Sequence, residues 1–197
     1  ATGASGSGGA ASIPSEHFSF FVTSLEAMRE LSGSQDGFGG DLRFGESTGL
    51  AGADKICTQI AERALPGAGG KGWRAFLSAK AAGPGGAVVN ARDRIGAGPW
   101  YDRSGRLVAK DLASLLGTRP AADAAIANDL PNERGEPNHG SVDVDNHDTV
   151  TGSDAQGNYA GGVTCEDWTT TQTPTGRSTV ASTGGGGEGL RNGPIGA

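Results

Sequence analysis

Only two cysteines, Cys57 and Cys165, occur among the 197 residues. They stand far apart and belong to neither a CxxC nor a Cys/His cluster, which argues against a structural zinc site. Aromatic residues are scarce, at 6%, so the expected core is small and wrapped in long loops. No run approaches the roughly 18 apolar residues of a membrane-spanning helix. Basic residues are outnumbered, 16 against 22 acidic, for a formal net charge of -6. That balance argues against a nucleic-acid partner, because phosphate binding needs a clustered basic face. Two catalytic signatures are missing too: there is no HExxH and no GxxxxGK[ST]. The three histidines, His17, His139 and His147, are scattered. No catalytic set emerges, and the chain is not expected to be an enzyme.

Glycine is what the sequence has in excess, with 36 residues. It does not recur at every third position, so a collagen helix is excluded. Residues 1–15 read as a Gly/Ser-rich linker and residues 184–197 as a Gly-rich tail, leaving 16–183 as one domain. The opening ATGASGSGGAAS suits either a plain tail or the stretch that follows the modified cysteine of a processed lipoprotein. HFSFFVT at 17–23 predicts a buried strand, and Ser24–Leu31 one or two helical turns. In 49–65, Ala53, Ile56, Cys57, Ile60, Ala64 and Leu65 form a helical stripe, with Thr48 as N-cap and Pro66-Gly67 as stop. WRAFLS at 73–78 and VTCEDWTT at 163–170 predict strands that bury Trp73 and Trp168. Leu107-Val108 is a shorter extended piece, and 178–183 a further strand. Lys110–Leu116 and Ala121–Leu130 each fit a short helix. Residues 131–162 show almost no periodicity, and a loop of that length is uncommon unless it is functional or disordered.

The densest local chemistry lies in that loop. Asp143, Asp145 and Asp148 cluster within six residues beside Asn146 and His147, and such acidic, oxygen-rich loops are what calcium requires. Asp154 and the carbonyls of the TGSDAQG turn are candidate additional ligands. The alternative is a polar turn network in which the Asp side chains cap backbone amides. Upstream, Arg92-Asp93-Arg94 precedes Gly98-Pro99-Trp100-Tyr101. Asp93 pairing with Arg92 or Arg94 would fix the loop. Alternatively, Arg94, Trp100 and Tyr101 form a ligand face on which sugars stack or proteins dock.

The ordered series GLAGADKIC, WRAFLS, ARDRIGAGPWYD, TVTGS and TCEDWTT resembles a myxobacterial-type family of uncharacterised secreted proteins and lipoproteins. The opening FFVTSLEAMRELSGSQDGFGGDLRFG resembles the same branch. The series is also similar, distantly, to the endostatin domain of collagen, over about residues 17–175. The resemblance implies an α+β, C-type-lectin-like fold: a twisted antiparallel sheet, two or more flanking helices and long loops. Glu136-Pro137-Asn138 resembles the calcium- and sugar-binding triplet of mannose-type C-type lectins, which makes Glu136 and Asn138 candidate ligand residues; a solvated turn is the alternative. In the resembled family, the helix cysteine bonds a cysteine in a last strand, and the strand cysteine bonds another just before it. This sequence has no cysteine after Cys165, so those pairings do not carry over. Cys57 and Cys165 remain disulfide candidates, with a direct bond between them one option. The sequence stops where the resemblance places a closing strand, so the chain is either truncated or diverged at its end; a missing strand would leave an open sheet edge, which invites a neighbouring chain.

Together these readings predict a secreted or outer-membrane-anchored recognition module that binds glycan or protein at the cell surface, with calcium as the candidate cofactor. The alternative is a structural subunit of an extracellular assembly, in which the chain forms a homo-oligomer.

Overall fold

The structure is a computed structural model that describes residues 17–117, 126, 130–137, 150–162 and 164–171. It mixes helix and strand. The elements are α1 (Leu25–Ser32), α2 (Gly49–Ala64), 3-10 turns at Ala68–Lys71 and Ala91–Asp93, β1 (Trp100–Tyr101), β2 (Leu107–Ala109), α3 (Leu112–Leu115) and α4 (Cys165–Trp168). Among the described residues the sheet is one antiparallel pair, β1 with β2, in which Trp100 faces Ala109 and Tyr101 faces Leu107 across an irregular register. No described helix is long and apolar enough to cross a membrane.

Helix α2 forms where the apolar stripe predicts it. Thr48 Oγ1 accepts from Ala51 N at 3.2 Å, capping one of the amides that a helix start leaves without a partner. Leu50, Ala53, Ile56, Cys57, Ile60 and Ala61 are buried along its length. The helix stops before Pro66, and the chain beyond is gathered by Glu62. That carboxylate accepts from Gly67 N and Gly69 N, which holds it below the usual carboxylate range. Arg103 Nε donates to the Ala64 carbonyl at the same end. Helix α1 starts on Ser24, whose Oγ accepts from Ala27 N, and ends at Gly33 with φ 69°. Short α3 begins with a reciprocal cap between Asp111 and Ser114.

Three segments differ from the predicted strands. Phe18 and Val22 each make only an isolated bridge, to Tyr101 and to Asn132. Residues 73–78 pair with no strand among the described residues; Leu77 N donates to Ala75 O in a tight turn, Ser78 N donates to Thr151 O, and Ala75 N donates to the Asp54 carboxylate. In 163–170 the described residues form a turn, α4, rather than a strand. In 17–23 and 73–78 the apolar residues are buried by packing in the core lobes, so the strand-like pattern needs no hydrogen-bonded ladder to account for it.

The core has two lobes. One gathers Phe18, Phe21, Ile56, Ile60, Trp73, Leu77 and Trp168. The other gathers Phe20, Val22, Phe76, Trp100, Val108, Leu115 and Ile126. Trp73 and Trp168 are therefore core residues as expected, though neither lies in a strand. Of the predicted 121–130 helix only Ile126 and Leu130 are described; the 178–183 strand and both Gly-rich ends lie outside the described residues.

Candidate functional site

The long 131–162 segment is described at both ends. At its start, Pro131 and Pro137 bridge a tight loop, and Gly135 N closes a turn onto Asn132 O at 2.9 Å. Asn132 is buried, and its Oδ1 accepts from Arg134 N and Glu136 N. Glu133 points inward and is only 4% exposed. Its carboxylate accepts from Ser24 N at 3.0 Å and Ser24 Oγ at 2.8 Å. A buried carboxylate is tolerated because these donors replace its lost water. The loop is fastened a second time by Arg106, which donates to the Gly135 carbonyl while also holding buried Asp102.

At the other end, Thr151 is buried and its carbonyl takes the Ser78 amide at 2.9 Å. Ser153 bridges Tyr159, enclosing a turn that Asp154 organises. The Asp154 Oδ1 accepts from Gln156 N and Asn158 N, and its Oδ2 accepts from Asn158 Nδ2. In the structure, Asp154 thus acts as the backbone-capping residue of its own turn. Tyr159 N donates to Asn90 Oδ1, and Arg92 N donates to Gly157 O, so the turn is also tied to the 90–92 segment.

Above the Pro131–Pro137 loop the exposed face is charged. Arg134 donates to Glu136 at 3.0 Å and to Glu26 of α1 at 2.9 Å. Arg134 holds the Glu136 carboxyl below its ordinary range, and Glu136 in turn raises the Arg134 pKa. Glu136 is therefore a solvent-facing carboxylate already engaged by one guanidinium. Its triplet partner Asn138 lies outside the described residues, as do Asp143, Asp145 and Asp148 with His139 and His147. Among the described residues, no group of three His, Cys, Asp or Glu side chains could hold a metal ion.

The expected Arg-aromatic cluster comes apart. Arg94 pairs with Asp54 of α2, Nη2 to Oδ1 at 2.7 Å, and donates to the Ala75 carbonyl through Nη1. Asp93 instead accepts from Asn90 Nδ2, and Arg92 reaches the Gln156 carbonyl. The pairing expected within Arg92-Asp93-Arg94 is thus replaced by one between distant segments, because the 3-10 turn at 91–93 directs Arg94 toward α2. Trp100 is 3% exposed within the second lobe. Tyr101 is half-buried and lies against His17, with ring centroids 5.5 Å apart.

The two cysteines are free thiols. Cys57 is fully buried on α2, and desolvation pushes its pKa well up; Cys165 is half-buried, and desolvation raises it as well. Three contributors to the loop anchorage escaped sequence reasoning: Ser24, Glu133 and Thr151. The only local signal was Ser24 before a helical pattern; that its cap is clamped by Glu133 depends on contacts across 109 positions. Compared with family models, curated proteins and solved structures, the chain matches none.

Proposed function

We propose that this chain is an extracellular recognition module that binds glycan or protein at the cell surface through its 131–162 segment. The observation that carries the reading is the double anchorage of that segment. Buried Glu133 seats one limb on the start of α1, and buried Thr151 seats the other on Ser78. Binding residues are disproportionately carried on loops held by a rigid scaffold. Within the span the sequence places Asp143, Asp145 and Asp148, the oxygen donors of a calcium-assisted site. The reading includes a binding rather than catalytic role, secretion or outer-membrane anchoring, and the endostatin-like, C-type-lectin-like fold. It is supported by the ordered motifs of the sequence and by the mixed helix-strand body.

The test compares the full chain with an Asp143→Asn, Asp145→Asn, Asp148→Asn variant. Calcium at about 100 times its Kd should stabilise the wild type by about 2.7 kcal/mol. The variant should not respond. Retention on a glycan array or on immobilised cell-envelope protein should fall in the variant. Equal retention of both chains on both surfaces would remove 131–162 as the binding segment.

A further inference from the structure

Residues 41–46 carry a feature that the 131–162 segment does not explain. Arg43 O accepts from Glu46 N at 2.7 Å, and the two residues between, Phe44 and Gly45, have φ of 45° and 85°. Positive φ at both central positions is the signature of a type I′ turn, which selects Asn-Gly or Gly-Gly. Gly45 fits that rule and Phe44 breaks it. Large side chains are disfavoured at positive φ, and such exceptions concentrate at ligand sites. Phe44 is half-buried, edge-packed on Phe38 with centroids 5.3 Å apart and an interplanar angle of 83°. It also lines a shallow, open depression of about 430 Å³ together with Asp41, Arg43, Gly45 and Glu46.

The charges around this depression select its ligand. Arg43 is clamped by Asp41, Nε to Oδ1 at 2.9 Å and Nη2 to Oδ2 at 2.6 Å. Lys55 Nζ pairs with Glu46 Oε1 at 2.7 Å and lies 5.5 Å from the Phe44 ring centroid. Two carboxylates and two cations therefore neutralise each other. An anion would have to displace a carboxylate, and a cation a guanidinium or ammonium. A hydroxyl group both donates and accepts, so it joins a closed ion pair without breaking it. An aromatic wall beside self-neutralised hydrogen-bonding groups suits a molecule with apolar C–H surface and hydroxyl edges.

We propose that the 41–46 depression is a second binding site, for a neutral saccharide. It shares with the preceding reading the idea that the chain binds a glycan at the surface, and the two sites can be tested apart. The experiment titrates the full chain with neutral mono- and disaccharides by calorimetry and screens it on a glycan array. Phe44→Asn keeps a residue that the turn favours while deleting the ring. It should weaken binding about tenfold or more, as loss of an aromatic anchor does. Phe44→Trp keeps a ring and should retain binding. Binding should persist with EDTA, at about 0.5 M salt and in the Asp143, Asp145, Asp148 variant. The proposal is overturned by any of three results: no neutral sugar bound, full binding by Phe44→Asn, or a Phe44→Asn variant whose Tm falls while no sugar binding distinguishes it from wild type. Loss of binding in the triple variant alone would instead assign the sugar to the 131–162 segment.

Discussion

Gly52 shows how far a residue's effect depends on what stands beside it. In a helix interior, alanine is ordinarily favoured over glycine by about 1 kcal/mol. On α2, however, a Cβ at Gly52 would be driven into the carbonyl oxygens of Leu42 and Arg43. Those are backbone atoms and cannot rotate away. Gly52→Ala is therefore expected to destabilise by about 1–3 kcal/mol, the cost of overpacking, rather than to stabilise. Gly70 is the control: nothing lies within 4 Å of its Cβ position and its φ is not positive, so Gly70→Ala should be neutral or better. Denaturant midpoints decide the matter, and a Gly52→Ala chain as stable as wild type would refute the close approach. The stripe, cap and stop of α2 were legible because they are local: Thr48, Ile56, Ile60 and Pro66 act within a few residues of one another. Gly52 was not, because its neighbours are set by where 42–43 crosses the helix.

The element most at odds with its sequence is α4. Cys165, Glu166, Asp167 and Trp168 all have positive φ, from 46° to 67°, so the turn is left-handed. Such a conformation costs roughly 1–2 kcal/mol per residue for L-amino acids. It persists because its side chains are held from outside. Asp167 takes the amides of Lys80 and Ala81, and Trp168 Nε1 donates to Ser78 O at 2.9 Å. Gly40 and Gly152 leave space beside it, since a Cβ on either would lie 2.7 Å from Cys165 Sγ or Thr164 Cγ2. The β-branched and aromatic content of 163–170 reads as a strand because composition cannot register these distant acceptors. Glu166 is exposed and lies among the strained positions, at φ 52°. Glu166→Gly should thus relieve strain at little cost in packing and raise stability by about 0.5–1 kcal/mol after the added freedom of the unfolded chain is subtracted. A lower Tm in that variant would count against the left-handed assignment.

At the scale of the whole molecule, the segments 17–23 and 73–78 share their side chains between the two core lobes. Phe18 and Phe21 turn to one lobe, Phe20 and Val22 to the other; Leu77 and Phe76 divide in the same way. The division explains why the sequence signalled buried strands at 17–23 and 73–78. Burial on both sides was readable from the apolar runs, whereas the hydrogen-bonding partners were not. The candidate site followed the same pattern: the long 131–162 segment stood out by its lack of periodicity, while its anchors came from Ser24 and Ser78, far away in the chain. Those anchors set an order of events for folding. Trp168 reaches Ser78 across 90 positions and Leu42 N reaches the Trp168 carbonyl, so this end of α2 is locked by some of the last described residues to leave the ribosome. Loop-closure entropy makes such contacts slow to form. Local helix formation is expected to precede them. In pulse-labelled hydrogen exchange the amides inside α2 should gain protection first and the Leu42 amide afterward; simultaneous protection would show that the closure is no separate step.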